Sequence, residues 1–149
     1  MDKIKVLQVG CGKMSKYTMR YVYEHGAVVV GAVDINKKII GLDISQVIGC
    51  ENKNIIIRDL ADLDNVIKET KPDIAIITTM SLVKDLRNEI RTCVKNGVNV
   101  VTTCEEAFFA ENSNPTLWHE IDVLAKANQC TVTGCGYQDV FWGNLISTI

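Results

Sequence analysis

Short apolar runs alternate with segments of helical periodicity along the whole chain. The runs predict six β-strands, at residues 4–9, 27–33, 54–58, 73–79, 98–103 and 130–133. The run at 27–33 is apolar at nearly every position, which is typical of a strand covered on both faces. The run at 54–58 is shorter and predicts a more peripheral strand.

Two amphipathic helices are predicted in the first half of the chain, at residues 13–25 and 60–70. Gly26 is a natural end for the first helix. The expected buried face of that helix consists of Met14, Tyr17, Tyr21 and Val22. Asp62 can cap the second helix, and Pro72 blocks its continuation.

Two more helices are predicted at residues 81–97 and 114–129. Ser81 can cap the third helix and Gly97 ends it. Its expected buried stripe is Leu82, Leu86, Ile90 and Val94. The fourth helix begins with Asn114 as its cap and a proline in the first turn. Its expected stripe is Leu117, Ile121, Leu124 and Ala125.

Strands that alternate with helices pair in parallel through right-handed crossovers. The sequence therefore predicts an α/β fold, a doubly wound and mostly parallel sheet of the Rossmann type. We expect residues 1–133 to form a dinucleotide-binding domain. Residues 134–149 end in the apolar stretch "VFWGNLISTI", and we expect them to start a crossing into a substrate domain that this chain lacks.

Composition and charge argue against nucleic acids and membranes as binding partners. The 149 residues are 47% apolar and 23% charged with a net charge of −2, and the basic residues are scattered. A nucleic-acid surface needs a basic face, so we expect no nucleic-acid partner. We expect no membrane contact, since no apolar run approaches the roughly 18 residues of a span. A strand follows the N-terminus directly, which predicts a cytoplasmic protein without a signal peptide.

The six cysteines are predicted to be reduced thiols rather than disulfides or metal ligands. None of them forms a C-x-x-C pair, and both histidines lie far from any cysteine pair with ligand spacing. Most of them lie in or beside apolar runs, where a thiol packs as a small hydrophobe. We therefore expect no metal.

The segment from Gly10 to Asp34 carries the strongest chemical signal. Gly10 and Gly12 follow the first strand and open a helix, where main-chain N–H groups can bind a pyrophosphate. Ser15 stands where the motif G-x-G-x-x-G has its third glycine. Asp34 ends the second strand 24 residues after Gly10, close to the roughly 20-residue spacing of a carboxylate that binds the adenosine ribose. The alternative is a plain turn with a solvated aspartate.

The same aspartate bears on the choice between NAD and NADP. A carboxylate at Asp34 should repel a 2′-phosphate, which favours NAD. Lys37 and Lys38 follow closely and either can neutralise that phosphate, unless both are merely solvated. NADP therefore stays open.

Two further loops follow strand ends at the edge where such sheets bind ligands. Thr78 and Thr79 can contact the nicotinamide side, since Ser81 suffices as the helix cap. Cys104 and Glu105 follow the fifth strand, and Glu106 is next to them. A carboxylate here can orient an amine or water, or can simply be solvated. A nucleophilic thiol needs an activating base, and no histidine is near in sequence.

Five motifs in this order resemble the N-terminal half of the dihydrodipicolinate-reductase-like amine dehydrogenases, namely "VGCGKMS", "GLDISQVIG", "KPDIAIITT", "NGVNVVTTCEEAFF" and "GCGYQDVFWGNLIST". The resemblance implies an oxidoreductase that uses NAD or NADP in ornithine degradation. The implied reaction is oxidative deamination of 2,4-diaminopentanoate to 2-amino-4-oxopentanoate and ammonia.

By position, the resemblance maps nine residues to the cofactor, namely Gly10, Gly12, Lys13, Met14, Asp34, Thr78, Thr79, Cys104 and Glu105. It assigns no catalytic residue. Ser15 and Cys104-Glu105-Glu106 depart from the lysine-pathway reductases, and Glu106-Ala107 replaces the Lys-Pro of sugar oxidoreductases. A lysine-pathway reductase fragment and a non-catalytic dinucleotide sensor remain as alternatives. We expect a homodimer, with residues 140–149 as the candidate contact.

Overall fold

A computed structural model describes residues 2–136 together with Ile146 and Thr148. The chain divides into two compact units, Met1–Thr78 and Thr79–Ile149. Apart from Ile146 and Thr148, the candidate dimer contact at 140–149 lies outside the described residues, as does most of the expected crossing at 134–149, so both stay predictions.

All six predicted strands are present, with ends shifted by at most three residues. They are β1 (Lys5–Val9), β2 (Val28–Asp34), β3 (Ile57–Asp59), β4 (Ile74–Ile77), β5 (Asn99–Thr102) and β6 (Val132–Gly134). Their order in the sheet is β3-β2-β1-β4-β5-β6. Parallel pairing joins β1 to β2 and β4, β2 to β3, and β5 to β6. The doubly wound α/β fold is therefore confirmed, with β3 as the peripheral strand.

The α-helices are α1 (Ser15–Glu24), α2 (Ser45–Ile48), α3 (Leu63–Thr70), α4 (Arg87–Lys95), α5 (Ala110–Ser113) and α6 (Pro115–Ala127). Short 3₁₀ turns at Leu60–Asp62, Val83–Leu86 and Glu105–Phe108 precede α3, α4 and α5. No described helix is long and apolar enough to cross a membrane.

The core of the first unit lies beside β2. A cluster of buried side chains from β1, β2, β3, α1, α2 and the adjoining loops fills it: Val6, Cys11, Met19, Val22, Val29, Ala32, Ile44, Ile48 and Ile57. Helix α3 approaches β2 so closely that a Cβ added at Gly31 would lie 2.8 Å from Val66 Cγ1 and 3.1 Å from Leu7 Cδ1. Gly31 thus lets a helix pack directly on the strand.

The predicted buried face of α1 is wrong except at Val22. Ser15, Met19 and Val22 are buried, whereas Met14, Tyr17 and Tyr21 are exposed by 60%, 47% and 61%. The buried residues are spaced by four and three positions, so they share one face of the helix, and the exposed three lie on the other side. Ser15 is small, which allows α1 to lie close to the strands.

The third predicted helix begins later than expected, so the Ser81 cap is wrong. A 3₁₀ turn occupies Val83–Leu86 and α4 follows it. Glu106 Oε2 accepts the Val83 N–H at 2.6 Å and supplies the cap that Ser81 was expected to provide. Leu82 is consequently exposed, while the rest of the stripe, Leu86, Ile90 and Val94, is buried as predicted.

Two other helix details differ from expectation. Asp59, rather than Asp62, caps the segment before α3, since its Oδ1 accepts the Ala61 N–H at 3.0 Å. Asp62 instead accepts hydrogen bonds from Arg58 and Asn65. In α6, the first-turn proline is confirmed, and so are three buried residues of its stripe: Leu117, Ile121 and Ala125. Leu124 is only half-buried.

Candidate functional site

The glycine loop, residues 10–14, joins β1 to α1. Gly10 has a φ of 84°, in the left-handed region that glycine adopts without strain. Its N–H donates to Val33 O at 2.9 Å, which holds the loop against the end of β2. The tight turn that the sequence assigns to Gly10 is therefore present.

Gly12 is a glycine for another reason. Its φ lies outside the left-handed region, and a Cβ added to it would meet nothing within 4 Å in the described chain. Neither backbone strain nor internal packing therefore requires glycine at this position. The absent side chain leaves open space over the main chain of the loop, as close approach of a ligand demands.

The start of α1 offers main-chain donors to that space. Among the described residues, none accepts a hydrogen bond from the N–H of Gly12, Lys13 or Met14. Unpaired N–H groups at the start of a helix carry partial positive charge and attract anions. The loop thus fits the pyrophosphate of a dinucleotide, as the sequence predicts for these residues.

Ser15, in place of the third motif glycine, is fully buried at the first position of α1. Its Oγ donates to Gly12 O at 2.7 Å. The hydroxyl therefore ties the glycine loop to the helix, and the serine adds a constraint that glycine would lack.

Asp34 lies beside the glycine loop at the end of β2 and is 9% exposed. Its Oδ2 accepts the Cys11 N–H at 2.5 Å and its Oδ1 accepts the Asn36 N–H at 2.7 Å. The fold thus brings Asp34 and the loop together, as their spacing predicts. Each carboxylate oxygen keeps a second lone pair for a ribose hydroxyl. The ribose contact itself stays a prediction.

Lys37 is paired within the chain. Its Nζ donates to the carboxylate of Asp59. That hydrogen bond, together with the Ala61 N–H, lowers the pKa of Asp59. Lys37 must therefore leave Asp59 before it can neutralise a 2′-phosphate. Lys38 is exposed, and its N–H donates to Asn36 Oδ1 at 3.0 Å.

Thr78, at the end of the first unit, contacts the glycine loop. Its Oγ1 donates to Gly10 O at 3.0 Å and accepts from Gln8 Nε2 at 2.9 Å. The fold therefore brings Thr78 to the glycine loop. Gln8 was missed in the sequence, although a polar residue inside an apolar strand was a signal for it.

The remaining predicted residues belong to the second unit. Thr79 and Glu105 are exposed, whereas Cys104 is 1% exposed and its Sγ donates to Ser81 O at 3.0 Å. Glu106 N–H also donates to Ser81 O, at 3.2 Å, while its carboxylate caps Val83. Glu106 thus binds the segment that follows Thr79, a role that the sequence alone did not indicate.

The buried cysteines, Cys11, Cys93 and Cys104, have the character of packed thiols, whereas Cys50 is exposed. All six are free. Burial raises the pKa of Cys11 to about 12, with a further contribution from the charge of Asp34. Burial is also the main cause that raises the pKa of Cys104. A raised pKa keeps the thiol protonated, so a nucleophilic role of Cys104 gains no support. Within the described ranges, no group of three metal-ligating side chains comes together.

Comparison with known proteins gives a family and several relatives. Residues 4–110 match the family described as dihydrodipicolinate reductase, N-terminus. The chain is 29% identical over 140 residues to the 2,4-diaminopentanoate dehydrogenase of Acetoanaerobium sticklandii. This alignment covers 91% of the chain and 38% of that protein. It is 32% identical over 102 residues to a 4-hydroxy-tetrahydrodipicolinate reductase of Methanococcus aeolicus, or 66% of this chain and 37% of that protein.

Solved structures agree with the fold. An amine dehydrogenase from Mycobacterium smegmatis matches 99% of this chain and 43% of its own, with a TM-score of 0.91 and 32% identity. An oxidoreductase from Agrobacterium radiobacter, solved with NAD+, L-tartaric acid and magnesium, has a TM-score of 0.65 at 16% identity over 89% of this chain and 35% of its own. The chain spans less than half the length of each of these four relatives.

Proposed function

Because this chain belongs to the dihydrodipicolinate reductase N-terminal family, we propose that it binds NAD(H) and forms the cofactor-binding part of an amine-oxidising dehydrogenase. The observation that carries the cofactor assignment is the glycine loop. It combines open space at Gly12 with main-chain N–H groups at residues 12–14 that have no acceptor in the described chain. These features match the diphosphate of a dinucleotide in both shape and charge.

The preference for NAD over NADP rests on charge. The carboxylate of Asp34 lies 2.5 Å from the Cys11 nitrogen, within the reach of an adenosine ribose bound to the same loop. A 2′-phosphate would bring a like charge to this carboxylate. Lys37 is already engaged with Asp59. We therefore propose NAD as the preferred cofactor and weaker binding of NADP.

The proposed substrate is a diamino acid such as 2,4-diaminopentanoate. Support comes from two relatives, the dehydrogenase of Acetoanaerobium sticklandii and the amine dehydrogenase of Mycobacterium smegmatis. Bound NAD+ would accept the hydride from the carbon that bears the amine, and water would then hydrolyse the resulting imine to a ketone and ammonia. The described residues hold the dinucleotide in this proposal, and we assign the acid and base to none of them.

A second candidate is a lysine-pathway reductase. The relative from Methanococcus aeolicus and the family description favour it. The two candidates differ in direction, since the reductase would consume reduced cofactor and the dehydrogenase would produce it. Two assays separate these candidates, one with a diamine plus NAD+ and one with 4-hydroxy-tetrahydrodipicolinate plus NADH. Both assays use a protein that is as long as the curated relatives and contains this chain.

Calorimetric titration of the 149-residue chain with NADH and NADPH tests cofactor binding. We expect saturable NADH binding and NADPH binding weaker by roughly tenfold, the cost of one unfavourable charge contact. We also expect no turnover of diamines by this chain alone. If neither dinucleotide binds, the proposal is wrong. Robust amine oxidation by these residues alone would refute the proposal that they bind the cofactor but do not catalyse the reaction by themselves.

A further inference from the structure

Gln8 is a polar side chain inside β1, and none of its surface is exposed. A buried amide is costly unless its polar atoms have partners. Here each of them has one. Nε2 donates to Gly10 O at 2.8 Å and to Thr78 Oγ1 at 2.9 Å, and Oε1 accepts from Thr18 Oγ1 at 3.0 Å.

Two of these contacts converge on one carbonyl group. Gly10 O accepts from Gln8 Nε2 and, at 3.0 Å, from Thr78 Oγ1. The N–H of Gly10 is also engaged, with Val33 O. Hydrogen bonds therefore fix the peptide groups on both sides of Gly10, whose backbone would otherwise be permissive. The N–H of Cys11, which follows Gly10, donates to Asp34, and the N–H groups of the next three residues, 12–14, have no acceptor in the described chain.

We propose that Gln8 and Thr78 are positioning residues of the dinucleotide site, acting through the carbonyl of Gly10. They hold the glycine loop in the conformation that presents the N–H groups of Gly12 to Met14 to a diphosphate. Because Gln8 is fully buried, it acts in this proposal through Gly10 and not on the ligand directly. Thr78 then acts on the diphosphate half of the cofactor, rather than on the nicotinamide half to which the sequence assigned it. This inference rests on the proposed function.

The test compares two substitutions in the same buried network. Gln8→Met keeps length and volume but removes the donors to Gly10 O and to Thr78 Oγ1. Thr18→Val removes the hydroxyl on the other side of Gln8 and leaves the contacts to Gly10 intact. Calorimetric titration with NADH and with ADP is combined with thermal unfolding of each variant. We expect Gln8→Met to bind both ligands roughly tenfold more weakly. Thr18→Val should stay within about twofold of the parent chain for both ligands, since it removes no donor to the loop.

A third variant, Thr78→Val, keeps the test decisive if Gln8→Met fails to fold. It removes the second donor to Gly10 O from a half-buried position. ADP lacks nicotinamide, so a role through Gly10 predicts similar losses for ADP and NADH, roughly fivefold each. Loss of NADH affinity alone would place Thr78 at the nicotinamide and overturn its positioning role.

The remaining outcomes separate this inference from the proposed function. If the parent chain binds neither NADH nor ADP, the proposed function fails and the inference fails with it. If the parent binds and Gln8→Met binds equally well, only the inference is overturned. If Gln8→Met and Thr18→Val lose affinity in parallel with their melting temperatures, the effect is general loosening of the unit, which also overturns it.

Discussion

Gly12 and Gly31 lie in the same unit, one in the loop before α1 and the other within β2. A Cβ added at Gly31 would meet Val66 at 2.8 Å, whereas one added at Gly12 would meet nothing within 4 Å in the described chain. Gly31 is therefore explained by the packing of α3 on the sheet. Gly12 has no such explanation among the described residues, which favours a bound ligand as the reason for it. Comparing the two sites separates a glycine needed for folding from one needed for binding.

Gly12→Ala should have the largest effect on binding. The new methyl group would occupy the space that we assign to the diphosphate, and we expect NADH affinity to fall by about 2 kcal/mol, roughly thirtyfold. Because the methyl group would meet no atom of the described residues within 4 Å, the free energy of unfolding should stay the same or rise by up to about 1 kcal/mol. Calorimetry and chemical denaturation measure the two quantities. Unchanged NADH affinity would remove the diphosphate from this position.

Gly31→Ala should give the opposite result. The β-branched Val66 cannot move easily away from the added methyl group, so we expect a loss of about 1–3 kcal/mol in the free energy of unfolding. NADH affinity of the folded protein should stay within about twofold, because Gly31→Ala removes no hydrogen bond of the glycine loop. A twofold change in affinity is smaller than the contribution of one hydrogen bond. A denaturation series on both alanine variants checks this. If both variants lose affinity equally, the distinction between the two glycines is wrong.

Two aspartates extend the comparison, since both are buried and both accept main-chain N–H groups. Asp34 binds the glycine loop, whereas Asp43 accepts from Ser45, Lys53 and Ile55 in a loop of its own. Asp34→Asn should lower NADH affinity by roughly tenfold, because one charged acceptor for the ribose is lost. NADPH affinity should fall less. Asp43→Asn is the matched control and should leave both affinities unchanged.

An equal loss for NADH and NADPH in Asp34→Asn would limit Asp34 to the contact with Cys11. It would then exclude Asp34 from the adenosine ribose. Affinity for ADP, which carries the same ribose, provides an independent check of that outcome.

Asp43 should show a smaller effect that depends on pH. Burial alone would raise the pKa of Asp43, but the hydrogen bonds from Ser45, Lys53 and Ile55 outweigh it and lower the pKa to about 2. A lowered pKa in the folded state contributes stability above the ordinary value near 4, and that contribution is lost as pH falls toward 2. The melting temperature of the parent chain should therefore fall more steeply between pH 4 and pH 2 than that of Asp43→Asn. Parallel curves would contradict this.

Features set by local sequence were predictable. The apolar runs indicated all six strands, and the spacing from Gly10 to Asp34 brought the carboxylate to the glycine loop. Both follow from strand and helix alternation, which fixes where strand ends meet. The family resemblance was also predictable, from motifs spread over most of the chain.

Features set by contacts distant in sequence were not predictable. The start of α4 depends on Glu106, which is 23 positions beyond Val83. The buried face of α1 depends on how closely Ser15 lets the helix approach the strands, and periodicity favoured the aromatic residues on the opposite side. The hydrogen bond that joins Thr78 to Gln8 spans 70 positions. Each of these required the fold before the partner could be known.

The most direct test of the account is a crystal structure of this chain with bound NADH. We expect diphosphate oxygens within about 3.2 Å of the main-chain nitrogens of Gly12 to Met14, with no side chain between them. A dinucleotide bound elsewhere, with the space over Gly12 filled by solvent, would contradict the account.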